Sequence, residues 1–101
     1  MTEATGRSGV VRRSLIIRNE RGLHARAAAK FVKLAALYQA EVRVSAQGTE
    51  VSGVSIMGLL MLGAARGTRI EIEADGADAA AVIQALAALV NEGFGEDLGR
   101  S

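Results

Sequence analysis

The sequence predicts an α+β fold of two layers, a β-sheet covered on one face by helices, with element order βαββαβα. Three observations predict it. Short stretches rich in β-branched residues alternate apolar with polar side chains. Between and after them lie stretches whose apolar residues recur at helical spacing. No internal repeat, proline-rich linker or low-complexity segment divides the 101 residues, so one domain is expected.

Residues 10–18, VVRRSLIIR, form the first strand, with Leu15 and Ile17 facing a core and Arg13, Ser14 and Arg18 solvated. NERG follows as a loop. From Ala25 to about Leu37, Ala28, Phe31, Val32 and Ala35 keep the i, i+3, i+4, i+7 pattern of one apolar helical face, and the alanine-rich composition favours helix. EVRVS at 41–45 alternates with Val42 and Val44 on one side, AQG turns the chain, and TEVS at 49–52 returns as the second arm of a hairpin. Ser55 precedes Ile56, Met57, Leu59 and Leu60 and suits a helix N-cap, because its hydroxyl accepts from a free helical N–H. Gly58 and Gly63 keep that helix short. TRIEIE at 68–73 is the fourth strand, with Ile70 and Ile72 inward. Asp78 is expected to cap a last helix, DAAAVIQALAALV, with a buried stripe of Val82, Leu86, Leu89 and Val90. Residues 1–9 are small and polar and are expected to be a disordered extension; residues 10–95 form the domain and 96–101 a frayed tail.

Composition removes several kinds of function. Twelve basic and eleven acidic residues nearly cancel, which argues against broad electrostatic binding of nucleic acid. The aromatic residues are one Tyr and two Phe, Tyr38, Phe31 and Phe94, all assigned to helices or their ends. A sheet face that stacks single-stranded bases needs exposed aromatics, so that reading ranks far behind. With no cysteine, thiol chemistry, disulfides and cysteine metal sites are out, and one histidine excludes a multi-histidine metal site within the chain. No apolar stretch approaches the roughly 20 residues that span a bilayer, and the N-terminus is unlike a secretory signal. The expectation is a soluble, cytoplasmic protein without a cofactor.

The single imidazole, His24, stands at the entrance of the first helix in RGLHARA. A helix start presents backbone N–H groups without intrahelical partners, and the macrodipole adds positive potential. That favours an anion and disfavours a cationic imidazole, so neutral His24 could act as a nucleophile whose phosphorylated form the free N–H groups receive. Arg26 adds a permanent cation, and Gly22 permits a tight turn and close approach of a partner. On these residues alone, a solvated capping histidine fits as well. Ser55 carries the same two readings, a plain cap or a phosphate acceptor.

GLHARAAAKFVKLA, VSGVSIMGLLMLG and ARGTRIEIEADGADAAAVIQALAALV together resemble the histidine-containing phosphocarrier protein (HPr) family of the bacterial phosphotransferase system, from about residue 11 to residue 95. The resemblance implies an open-faced sandwich with a four-stranded antiparallel sheet in the order 1-4-2-3. It implies a phosphoryl relay with a covalent phosphohistidine, rather than an independent enzyme. Phospho-Enzyme I donates to His24 at Nδ1, and an EIIA-type protein accepts. Arg26 takes the place of the family's site arginine, and Ser55 that of its regulatory serine, the target of an HPr kinase/phosphorylase. Partner docking is expected at Gly22, Ala27, Lys30, Ile56, Met57 and Leu60, with the monomer as the working state. One departure stands out: many members have proline directly after the site arginine, where this chain has Ala27. The competing function is a regulatory binding module of the same fold whose phosphorylation state controls partner proteins in a nitrogen or metabolic branch; the intact His24–Arg26 pair favours the relay.

Overall fold

The computed structural model describes residues 10–96. The expected N-terminal extension, and all of the expected tail except Glu96, lie outside the described residues.

Four strands, β1 (Val10–Ile16), β2 (Glu41–Ala46), β3 (Thr49–Ser52) and β4 (Arg69–Asp75), form one antiparallel sheet in the order β1-β4-β2-β3. This is the order 1-4-2-3. Three helices, α1 (Ala25–Ala35), α2 (Ile56–Met61) and α3 (Ala79–Asn91), are followed by a 3-10 turn at Gly93–Gly95.

Strand alternation sorts the sheet into two faces. Leu15 sits opposite Ile70, and Val44 lies between Ile72 and Val51; these side chains, with Val42 and Ala74, turn toward the helices. The core between the layers is completed by Phe31 and Ala28 of α1 and by Val82, Leu86 and Val90 of α3, all buried. Full burial of a side chain such as Phe31 contributes about 1.5–3 kcal/mol. The opposite face carries Arg12, Glu41, Arg43, Glu50, Glu73 and Asp75. Arg43 bridges Glu50 at 2.8 Å and Glu41 at 3.2 Å across it. Phe31 and Phe94 are buried and Tyr38 is half-buried beyond α1, so no aromatic is offered on that face.

Local chemistry explains most boundaries. Gln47 and Gly48 turn the β2–β3 hairpin with φ of 53° and 85°, the two positive values of a primed two-residue turn that matches strand twist. Ser55 Oγ accepts from Gly58 N at 2.9 Å, the expected cap of α2.

Two expectations need correction. Asp78 occupies the N-cap position of α3, but its side chain makes no cap bond. Its carboxylate instead accepts from Gln39 N at 2.7 Å, while Asp78 N donates to Gln39 O at 3.1 Å. The carboxylate satisfies a backbone donor beyond the end of α1 and so ties that loop to α3. In the buried stripe of α3, Leu89 is only partly buried and Ile83 is buried in addition, because the helix is apolar around most of its circumference and the sheet selects which side faces in.

Candidate functional site at the start of α1

The loop from Asn19 to Leu23 sets the direction in which His24 leaves the first strand. Gly22 has φ +68°, a left-handed conformation that disfavours any Cβ, and a Cβ there would lie 2.6 Å from Ala64 O and 3.0 Å from Ala65 Cα. Leu23 N donates to Ala64 O at 2.9 Å. The loop is therefore laid directly on the segment that follows α2, and α2 in turn contacts α1.

His24 is the N-cap of α1, in extended conformation, and its carbonyl accepts the first helical bond from Ala28 N at 2.8 Å. Its imidazole is the capping group: Arg26 N donates to Nδ1 at 3.3 Å. The other ring nitrogen, Nε2, hydrogen-bonds Oε2 of Glu96. Since a backbone N–H can only donate and an ionised carboxylate can only accept, the partners assign the proton of a neutral ring to Nε2 and leave a lone pair on Nδ1.

Glu96 is positioned in its turn. Its Oε1 accepts from Asn19 Nδ2 at 3.0 Å, and the same amide donates to Gly22 O at 2.8 Å. Asn19 is fully buried, with Oδ1 lacking a hydrogen-bond partner. Turning the amide over would not help, because both groups facing Nδ2 are acceptors. Phe94 is buried with φ +58°, and its carbonyl accepts from Lys30 Nζ at 2.6 Å, so the 3-10 turn is held against α1 just before Glu96. Burial disfavours the charged Glu96 carboxylate. The hydrogen bonds from Asn19 and His24, with electrostatic attraction from the imidazole and from Arg21, outweigh it and hold the group below the ordinary carboxylate value.

The structure thus gathers His24, Arg26, Asn19 and Glu96. Arg26 is exposed on the first turn of α1. Ile56 and Met57 are exposed on α2 and Leu60 is partly buried, while Val54 and Met61 extend the exposed apolar area. Lys30 is exposed too, with its ammonium on Phe94 O. Of the residues expected at the docking surface, Gly22 and Ala27 are buried, Ala27 completely, and lie beneath the exposed side chains. Asn19 and Glu96 were not singled out by the sequence. Asn19 reads as an ordinary loop residue in NERG, and Glu96 falls in the expected tail, 72 positions from the ring it meets. Among the described residues no group of three or more His, Cys, Asp or Glu is placed to hold a metal ion, and no helix is long and apolar enough to cross a membrane.

Comparison with known proteins decides the family. The family model described as the PTS HPr component phosphorylation site matches residues 11–92. The chain belongs to the HPr family of phosphocarrier proteins. It is 49% identical over 87 residues to the phosphocarrier protein HPr of Neisseria meningitidis, covering 86% of this chain and 98% of that protein. It is 41% identical over 88 residues to the phosphocarrier protein NPr of Escherichia coli K12, again covering 86% and 98%. Among solved structures, HPr from Thermoanaerobacter tengcongensis superposes with a TM-score of 0.84 at 36% identity, covering 87% of this chain and 99% of that one. Membership assigns the chain a phosphocarrier role in the phosphotransferase system.

Proposed function

We propose that the chain accepts a phosphoryl group on Nδ1 of His24 from phospho-Enzyme I and passes it to an EIIA-type protein. The observation that carries this reading is the ring's pair of partners. Nδ1 holds an available lone pair at a helix start, with the proton on the far nitrogen. In-line attack forms the P–Nδ1 bond as the donor's bond to phosphorus breaks, and no proton has to leave Nδ1 first. The Arg26 N–H that capped the lone pair then turns to a phosphoryl oxygen. Ala25 and Ala27, in the same first turn, have N–H groups without helical acceptors and add to the cradle. A proline at residue 27 would lack its donor; Ala27 supplies one. The exposed Arg26 guanidinium contributes a permanent cation. Transfer onward reverses these steps: the acceptor's nucleophile attacks phosphorus, the P–Nδ1 bond breaks, and the lone pair returns to the Arg26 N–H.

Partners meet this surface in turn. Ile56 and Met57 offer an adaptable apolar area on α2, and Arg21, Arg26 and Lys30 suit acidic partners. Ser55 is the site of regulatory phosphorylation by an HPr kinase/phosphorylase. A phosphate there brings about −1.5 to −2 charge to the edge of the apolar area, while helix N–H groups tolerate it. The chain works in the cytoplasm as a monomer and needs no cofactor.

The test is incubation with phosphoenolpyruvate and Enzyme I. An acid-labile, base-stable phosphoryl group should appear by mass and vanish in His24→Ala. Label that persists in His24→Ala overturns the proposal. ATP and an HPr kinase should separately give an acid-stable phosphate that is absent in Ser55→Ala.

A further inference from the structure

We infer that Glu96 is a positioning residue that holds the proton on Nε2 of His24 throughout the phosphoryl cycle, keeping Nδ1 nucleophilic before transfer and making the departing ring a neutral imidazole afterwards. The inference rests on the phosphocarrier reading of His24.

Free imidazole exchanges its proton between two nitrogens, and only the form with Nδ1 bare can attack from Nδ1. An ionised carboxylate on Nε2 selects that form. When the P–Nδ1 bond is made, the proton stays on Nε2 and the ring becomes cationic. If the ring then lost that proton to water, the onward step would have to expel an imidazolate, a far poorer leaving group. A carboxylate against Nε2 opposes the loss by direct attraction. Both side chains are mostly shielded from water, 15% and 19% exposed, which strengthens the attraction. Charge balances across the step: the phosphoryl group moves from donor to Nδ1 to acceptor, and the Nε2 proton never leaves its pair with Glu96.

The carboxylate is built into place and does not reach the ring by chance. One oxygen is fixed by the buried Asn19 amide, and the segment that carries it is fastened by buried Phe94 and by Lys30 on the Phe94 carbonyl. Among the described residues, Arg21 acts on Glu96 from the preceding loop, Arg26 and Lys30 stand exposed on α1, Glu92 is exposed at the end of α3, and α2 has no titratable side chain.

The test uses Glu96→Gln and Glu96→Ala in the full chain. Imidazole 15N shifts of the unphosphorylated protein above neutral pH should show Nδ1 as bare and Nε2 as protonated in the parent, and a larger share of the Nδ1-protonated form in Glu96→Ala, where only the Arg26 N–H still favours a bare Nδ1. After loading by Enzyme I, transfer to an EIIA protein should be slower in the variants by about tenfold at pH 8, the effect of one charge-assisted hydrogen bond. The slowing should shrink as pH falls toward 6, where free protons are more plentiful. An unchanged tautomer signature with an unchanged pH profile in either variant overturns the inference. If the parent takes no phosphoryl group on His24, the phosphocarrier reading fails instead, and the 15N shifts still decide whether Glu96 sets the tautomer.

Discussion

Glu96 accepts from the imidazole of His24 across 72 positions of sequence, joining the C-terminal end of the described chain to the start of α1. The contact makes stability depend on pH with a definite sign. Glu96 has a lower pKa folded than unfolded, so its contribution is complete above the unfolded carboxylate value of about 4.3 and is lost as pH falls through the lower folded value. Melting curves should therefore show the parent more stable than Glu96→Gln at pH 7, with the gap closing below about pH 4. A gap that persists undiminished far below the ordinary carboxylate range would contradict the assignment.

Gly22→Ala should be severely destabilising for two reasons that add. The residue has φ +68°, and its new Cβ would press on the backbone of Ala64 and Ala65, which has no rotamer to yield. About 2–4 kcal/mol is expected from left-handed strain and overpacking together. Chemical denaturation measures it directly, and a loss under about 1 kcal/mol would mean that the loop relaxes away from the α2 segment.

Asn19→Ala removes both hydrogen bonds of the buried amide and leaves Gly22 O without its donor. A cost of about 1–3 kcal/mol follows, or a fall in Tm of at least about 4 °C for a domain of this size. Amide exchange at residues 93–96 should accelerate in the same variant, because Glu96 loses one of its two anchors.

Ser55 separates capping from charge. Ser55→Ala loses the bond to Gly58 N and should cost about 1 kcal/mol. Ser55→Asp keeps an acceptor at the cap and adds a negative charge at a helix start, so stability should hold while transfer from Enzyme I slows by repulsion and desolvation. Transfer rates equal to those of the parent would remove the regulatory role proposed for this position.

Much of this was legible in the sequence because it depends on short-range pattern. Alternation in EVRVS and TRIEIE placed Val42, Val44, Ile70 and Ile72 on the core face, helical spacing buried Phe31 and Ala35, and serine before an apolar run marked the start of α2. His24 could be placed at a helix entrance from neighbours within a few residues. These features answer to dihedral preference, side-chain period and capping chemistry, all of which act locally.

The long-range meetings arise only once the chain has packed. Asp78 looks like a cap by position, yet it serves Gln39 N, because folding brings that donor within 2.7 Å. Ala27 follows Arg26 and reads as a surface position, yet it is completely buried. Local sequence is enough to place an imidazole where free N–H groups converge. The ring's partners are the local Arg26 N–H on Nδ1 and the distant Glu96 on Nε2, and Glu96 is brought to the ring as Phe94, Lys30 and Asn19 hold the end of the described chain against α1. No local pattern encodes that contact, because its partners become neighbours only after the sheet and helices have packed.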